Sequence, residues 1–240
     1  MYEQVSDLAY FRILVGDSTA IPLLETAASL AQDEYPGLDL EEVLSSVDVL
    51  CKRLAERCLD LSTEVKRLQE TSLFFYKDLG FAGNVNDYYD PDNSFVHRVL
   101  ETRRGIPITL AVIYVELART VGLDADGISF PGHFLIKVNL HEGPVVLDPF
   151  SGYSLSQEDI LERLDPYRKR LGLTGDNEVP TGLFLQSATP REVLLRMLRN
   201  LREVYRQQGQ FQKLKKVLDR ILILDPDDVE EQRLRASLGA

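Results

Sequence analysis

Apolar residues recur at helical spacing through the first third of the chain. Residues 18–36 carry an apolar face, so we predict a helix there with Ser18 or Thr19 as its cap. Asp39 followed by Glu42 resembles a capping box and opens a second, longer helix. The apolar face of this longer helix consists of Leu40, Val43, Leu44, Val47, Leu50, Cys51, Leu54, Cys58 and Leu61.

The pattern changes after this helical third. Residues 80–94 are dense in Gly, Asn, Asp and Pro, which predicts a loop, and a short amphipathic turn follows at 95–100. A strongly apolar helix is predicted over residues 107–121. Pro107 suits its first position, and Gly122 suits the position just past its end.

Three strand-like runs follow at residues 127–130, 133–140 and 145–150. The last two flank a turn at Glu142-Gly143-Pro144 and predict a β-hairpin. Residues 156–171 have helical spacing that Pro166 interrupts. Residues 172–190 contain three glycines and two prolines and predict a linker.

From residue 191 onward the spacing is helical again and is typical of a 34-residue tetratricopeptide unit. The match is partial, because Arg202 stands where a small residue is expected and Leu198 where an aromatic residue is expected. A single helix pair cannot bury its own apolar face, so we expect this tail to dock on the rest of the chain or on a partner. The matching positions are Leu198, Leu201, Tyr205, Gly209, Leu214, Leu218, Ile221 and Pro226.

The composition narrows the class of protein. The chain has 240 residues, a hydrophobic fraction of 44% and a net charge of −11, which is typical of a soluble globular protein. The negative charge argues against nucleic acid and anionic membranes as partners, because both attract a cationic face. The acidic residues near the start argue against an ordinary signal peptide, and no uncharged stretch approaches the roughly 20 apolar residues that cross a bilayer. Two cysteines make no disulfide framework, so we predict a reducing compartment and a cytoplasmic protein.

One arrangement of residues points to chemistry. Gly105-Ile106-Pro107 opens a helix, His133 begins one predicted strand, and Asp148 ends the next. A helix N-terminus facing a His and an Asp is the architecture of a Cys–His–Asp site, in which the helix dipole favours the thiolate and the Asp orients the His. The hairpin should bring His133 and Asp148 to the same end of the sheet.

The chain also resembles a known family. GIPITLAVIYVELARTVGLDADGISFPGHFLIKV followed by VVLDPF resembles the core of the transglutaminase-like superfamily. With DEYPGLDLEE (33–42), DYYDPDNS (87–94) and the tail, the chain is similar more narrowly to the bacterial SirB-type branch. The resemblance implies an α+β fold in three parts: a helical N-terminal region (1–79), a papain-like/transglutaminase-like core with a small antiparallel sheet (80–190), and a tetratricopeptide-like helical tail (191–240).

The resemblance places a catalytic cysteine at the position of Pro107, and the catalytic His and Asp at His133 and Asp148. The nucleophile is therefore expected to be missing, and shifting the register by one residue gives only isoleucine. Proline also lacks the backbone N–H that commonly helps to hold the oxyanion, a donor worth about 2.7–4 kcal/mol in the transition state. Thr109 is the nearest hydroxyl, but two helical residues turn it about 200° away.

Further candidates flank this arrangement. The loop that leads into the site helix carries Tyr88, Tyr89 and Asn93, which we expect to line the cleft with Thr109 as ligand-binding residues. The oxygen-rich loop lacks EF-hand spacing and the three histidines fit no zinc motif, so we expect neither a metal nor a cofactor.

Plainer roles remain open for several of these residues. His133 has the alternative of a buried structural histidine, and Asp148 that of a strand-ending turn. Cys51 and Cys58 share an apolar helix face, which favours a core role for both. The alternative is that one of them reaches the His133 site as a displaced nucleophile, which a raised thiol pKa would oppose.

Three functions follow from these patterns. The first is a transglutaminase-like protein without a catalytic cysteine that binds a protein or peptide partner. The second is an amide or peptide hydrolase in which His133 and Asp148 activate water or a hydroxyl such as Thr109 or Ser129. The third is a scaffold that works through its tail.

Overall fold

The computed structural model describes residues 6–16, 21–173 and 179–239. The α-helices in chain order are α1 (Asp7–Leu14), α2 (Leu23–Ser29), α3 (Leu40–Cys58), α4 (Glu64–Ser72), α5 (Val96–Thr102), α6 (Pro107–Thr120), α7 (Gln157–Leu171), α8 (Pro190–Gln207), α9 (Phe211–Leu224) and α10 (Val229–Ser237). The strands are β1 (Ala82–Gly83), β2 (Arg104–Gly105), β3 (Asp124–Ile128), β4 (Leu135–Leu140), β5 (Gly143–Leu147) and β6 (Ser154–Leu155). The α+β architecture confirms the fold class predicted from the resemblance.

The strands form two sheets. In the larger one, β3, β4, β5 and β6 are antiparallel neighbours in that order. One face of this sheet packs on α6 within the main core, and the other face packs on α7 within a smaller core. Side chains therefore alternate along β4, where Leu135 joins the smaller core and Ile136 the main one.

Helix α6 lies at the centre of the molecule. It contacts α2, α3, α4, α5 and α8 as well as the sheet, and most of its residues are buried. Pro107 occupies its first helical position, and Gly122 follows its end with a φ of +75°, as the sequence predicts.

The C-terminal helices dock on the N-terminal ones. Arg220 of α9 is fully buried, lies over the ring of Phe11, and donates from Nε to Asp33 at 2.6 Å. Lys213, also on α9, pairs with Glu34 at 2.5 Å. The main core joins residues from 1–79, 80–190 and 191–240, so the tail buries its apolar face against its own chain. Its tetratricopeptide character stays a prediction.

Several element boundaries differ from the sequence predictions. The helix predicted over 18–36 begins at Leu23 and ends in a 3₁₀ turn at Leu30–Asp33, and its predicted caps, Ser18 and Thr19, lie outside the described residues. The strand predicted at 127–130 is Asp124–Ile128, because its polar side chains alternate toward the outside of the sheet.

One glycine and two prolines have structural roles that differ from the sequence predictions. Gly143 and Pro144 belong to β5 and not to the turn, because Pro144 lies beyond the part of β5 that pairs with β6, where no N–H is needed. Pro166 does not interrupt α7, since it lies on the exposed face while Ile160 and Leu164 continue the buried one.

The predicted linker 172–190 is partly built into the fold. Thr181–Leu185 forms a 3₁₀ helix, and Phe184 and Leu185 pack on the smaller core. The backbone of Ala188 donates to Gly127 of β3 at 2.8 Å. The glycines and prolines of this segment predict a linker, but contacts with the smaller core and with β3 hold part of it in place.

Candidate functional site

His133 and Asp148 meet at one end of the larger sheet. His133 lies in the turn before β4, and Asp148 follows β5 directly. Because Ile136 pairs with Leu147 across these strands, the residues just beyond that pair are brought side by side. His133 Nε2 lies 2.9 Å from Asp148 Oδ1.

The Asp148 carboxylate is buried and held on both oxygens. Oδ1 also accepts the backbone N–H of Phe150 at 2.9 Å, and Oδ2 accepts Arg163 Nη2 at 3.0 Å. Burial by itself raises the pKa of this carboxyl, but the hydrogen bond and charge of His133, the Phe150 N–H and Arg163 outweigh it and lower the pKa to about 2. Asp148 is therefore a fixed negative charge at neutral pH.

This contact orients the imidazole of His133. A carboxylate only accepts, so Nε2 carries the hydrogen and the neutral ring presents Nδ1 as an acceptor. Within the described residues Nδ1 has no protein partner, and the side chain is 24% exposed. The pair can therefore accept a proton from a bound molecule or a hydrogen bond from a ligand.

A chain of backbone contacts links Asp148 to the start of α6. The Phe150 carbonyl accepts the N–H of Gly83, and Gly83 pairs with Gly105 across the β1–β2 ladder. A Cβ on Gly83 would lie only 2.2 Å from the Phe150 ring, so that position needs glycine. Gly105 stands two residues before Pro107, which places the helix start beside the strand end that carries Asp148.

The two residues predicted at the helix start are buried. Pro107 is the first residue of α6, and Thr109 is fully buried with an Oγ1 that has no hydrogen-bond partner among the residues that the structure describes. Ser129, the other predicted hydroxyl, is exposed just after β3.

Both cysteines lie at the opposite end of α6. Cys51 lies close to Thr120, the last residue of α6, which is about 20 Å from Pro107 along a 14-residue helix. Cys58 faces Arg67, which donates to the Val121 carbonyl at the same end. Both are buried and free, and burial raises the pKa of both thiols.

The predicted ligand-binding loop divides into two parts. The Asn93 side chain is buried, because its amide donates to the Asp87 carbonyl at 2.6 Å and its oxygen accepts from Asn84 at 2.9 Å. Its own carbonyl accepts the N–H of Ile106, so Asn93 joins the loop to the start of α6. It acts there as a loop anchor.

Tyr88 and Tyr89, by contrast, are exposed. Their rings contact each other, and the Tyr88 ring centroid lies 6.0 Å from that of Phe150, beside the site. Both tyrosines line a cavity of about 90 Å³ that also contacts Ile106 and Val204 of α8. Tyr88 and Tyr89 thus lie near Phe150, two residues after Asp148, and near Ile106, one residue before Pro107, and α8 borders them.

Sequence reasoning missed two contributors to this site. Arg163 lies on α7, outside the residues predicted for the site, and it donates to Asp148. Tyr76 packs its ring over Gly152, the residue whose N–H donates to the Asp148 carbonyl. Burial raises the pKa of Tyr76, and the charges of Tyr114 and Asp148 add to the effect. In the sequence, only Gly152, four residues after Asp148, could have indicated that a side chain packs closely at this point.

No helix among the described residues is long and apolar enough to cross a membrane. The same residues contain no group of three or more His, Cys, Asp or Glu side chains that could hold a metal ion.

Comparison with known proteins identifies similar sequences. A family model described as the transglutaminase-like superfamily matches residues 41–199. A UPF0162 protein of Xylella fastidiosa is 36% identical over 98% of this chain and 83% of its own length. F-box only protein 21 of Homo sapiens is 29% identical over 75% of this chain and 29% of its own length. Protein SirB1 of Salmonella typhimurium is 24% identical over 82% of this chain and 72% of its own length. No solved structure matches the chain.

Proposed function

Since this chain belongs to the transglutaminase-like superfamily, we propose that it is a non-catalytic binding module that holds a peptide or protein segment beside His133. The observation that carries this proposal is the combination of an intact His133–Asp148 pair with Pro107 at the first position of α6. Asp148 orients the ring of His133, as in a catalytic site. Pro107, at the position that the family resemblance assigns to the nucleophile, has neither a thiol nor a backbone N–H.

The positions of the other nucleophiles support this proposal. Cys51 contacts the far end of α6, and its raised pKa opposes thiolate formation. The Thr109 hydroxyl is fully buried, so a substrate cannot reach it without a rearrangement of α6. The exposed rings of Tyr88 and Tyr89 offer contact area for an extended peptide next to Phe150, two residues after Asp148. We place the module in a reducing, cytoplasmic compartment because its two cysteines are free.

A selection from a random peptide display library on the immobilised protein tests the proposal. We expect enriched peptides that stay uncut, as judged by mass spectrometry, and that lose affinity in Tyr88→Ala and His133→Ala. Val49→Ala, an exposed position on α3, serves as the matched control and should leave affinity unchanged. Failure to enrich any peptide, or equal affinity for all three variants, would contradict a binding role.

A second function is favoured by the open Nδ1 of His133. Next to a charged Asp148, this nitrogen can take a proton from a water molecule as that water attacks an amide carbon. It can then give the proton to the amide nitrogen, so that the C–N bond breaks and a carboxylic acid and an amine leave. This hydrolase requires cleavage of the selected peptides in wild-type protein and none in His133→Ala. Uncut peptides with both proteins would exclude it for those sequences.

A further inference from the structure

A cavity of about 500 Å³ lies next to the loop that carries His133. Ser129 and Pro131 form one side of it, the 3₁₀ segment with Leu183 and Phe184 forms another, and α8 closes it with Leu195, Arg196 and Arg199. Pro131 precedes His133 by two residues, so the cavity opens beside the candidate site.

Arg196 is an unusual side chain for this position. It is partly buried, and no carboxylate in the described part of the chain pairs with it. Burial lowers the pKa of its guanidinium and the charge of Arg199 acts in the same direction, whereas Tyr88 opposes them. In a chain with a net charge of −11, a cation that lines a cavity and has no paired carboxylate among the described residues is open to an anionic ligand.

The other charged groups of the cavity are already satisfied. Arg199 pairs with Asp228 at 3.0 Å and with Asp225 at 3.6 Å. Glu192 accepts the Thr189 N–H at 2.7 Å and the Thr189 hydroxyl at 2.9 Å in a capping box. Arg196 is therefore the cation that can receive a ligand here.

Tyr88 connects this cavity to the site of the proposed function. Its ring packs beside Phe150, which donates to Asp148, while its hydroxyl lies within electrostatic range of Arg196. A peptide that lies along Tyr88 would thus reach His133 at one point and Arg196 at another.

We infer that Arg196 binds a carboxylate of the peptide held at His133, with the apolar wall of Leu183, Phe184 and Leu195 receiving the neighbouring side chain. This inference rests on the proposed function and names its ligand chemistry. A guanidinium binds a planar carboxylate through two parallel hydrogen bonds, and partial burial strengthens such bonds relative to water. The carboxylate comes from a chain terminus or from an acidic side chain.

Small carboxylates can test this site by nuclear magnetic resonance of the arginine side chains in the full-length protein. The probes are N-acetyl-leucine, which has a free α-carboxylate, N-acetyl-glutamate α-amide, which has a side-chain carboxylate, and the neutral N-acetyl-leucine amide. We expect at least one carboxylate to shift the Arg196 Nε–H resonance saturably, and the neutral amide not to do so. The stronger carboxylate identifies a terminus or an acidic side chain as the source.

The matched variants are Arg196→Gln and Arg233→Gln, the latter on an exposed face of α10. For the variants, binding is followed through the resonances of the added carboxylate itself. We expect Arg196→Gln to weaken this binding by about tenfold or more, as the loss of a charged hydrogen-bond donor does, and Arg233→Gln to leave it unchanged. Equal shifts with the neutral amide, no saturation, or equal losses in both variants would overturn the inference. If peptides are still selected on the protein in that case, the proposed function stands and only the carboxylate assignment falls.

Discussion

Asp148 binds His133 through Oδ1 at 2.9 Å while its second oxygen binds Arg163, so one buried carboxylate joins the sheet end to α7. Its two oxygens are thus shared between the imidazole of His133 and the guanidinium of Arg163. The site thus combines His133 from the turn before β4, Asp148 from the end of β5 and Arg163 from α7.

Asp148 should stabilise the fold above acidic pH. Its pKa is lowered from an ordinary value near 3.8 to about 2 and its side chain is 6% exposed, so ionisation contributes about 2 kcal/mol. A lowered folded pKa means that this contribution is present above the unfolded pKa and is lost as the pH falls toward 2. Urea unfolding should show wild type more stable than Asp148→Asn at pH 7 and nearly equal to it near pH 2. A difference that does not change with pH would contradict the ionised pair.

Gly152→Ala should destabilise the protein through Tyr76. The residue has a φ of +80°, and a Cβ would lie 2.9 Å from the Tyr76 ring. Left-handed backbone costs about 1–2 kcal/mol and overpacking about 1–3 kcal/mol more. Gly132→Ala is the control, since its φ is +70° but a Cβ there meets nothing within 4 Å. If urea unfolding shows the same loss of stability in Gly152→Ala and Gly132→Ala, the Tyr76 ring moves aside and the predicted overpacking is absent.

Pro107→Cys should create an acidic thiol if the register derived from the family resemblance holds. A thiolate at the first position of α6 is stabilised by the helix N-terminus, and by a protonated His133 if that ring faces it. In a background with Cys51→Ala and Cys58→Ala, ultraviolet thiolate absorbance should titrate below the usual value near 8.5. Adding His133→Ala should move the titration upward. A thiol that titrates at or above the usual value in the presence of His133 would show that Pro107 does not face the pair.

Asp33→Ala should loosen the docked tail. Arg220 is buried and Asp33 pairs with its Nε, so removing the carboxylate leaves a buried charge, at a cost of about 3–5 kcal/mol. Asp219→Ala breaks the more exposed pair with Arg235 and should cost at most about 1 kcal/mol. Equal losses in urea unfolding would contradict a tight docking of α9 on the N-terminal region.

Local signals in the sequence were enough to define the helices around the site. Pro107 and Gly122 bound α6, and Asp39 caps α3 by accepting from Glu41 and Glu42, as its position predicts. These signals succeed because capping and apolar spacing act within a few residues of the chain. The pairing of His133 with Asp148 also followed, because a hairpin brings its two ends together.

Local signals failed where a side chain is defined by a partner far along the chain. Asn93 is predicted to bind a ligand, but its side-chain amide forms hydrogen bonds with Asn84 and Asp87 of its own loop. Arg163 carries no local signal of a site residue, and it donates to Asp148. Nothing within several residues of either side chain distinguishes these outcomes.

The sequence by itself determined the α+β class, the family resemblance, the proline at the start of α6 and the pairing of His133 with Asp148. Only the tertiary structure decided that both cysteines lie at the far end of α6 and that Arg163 shares the Asp148 carboxylate. It also decided that Arg196 lines a cavity while no carboxylate of the described residues pairs with it. The physical reason is that helix ends and strand pairing follow from neighbouring residues. The charge balance and burial of a side chain depend instead on every segment that the fold packs around it.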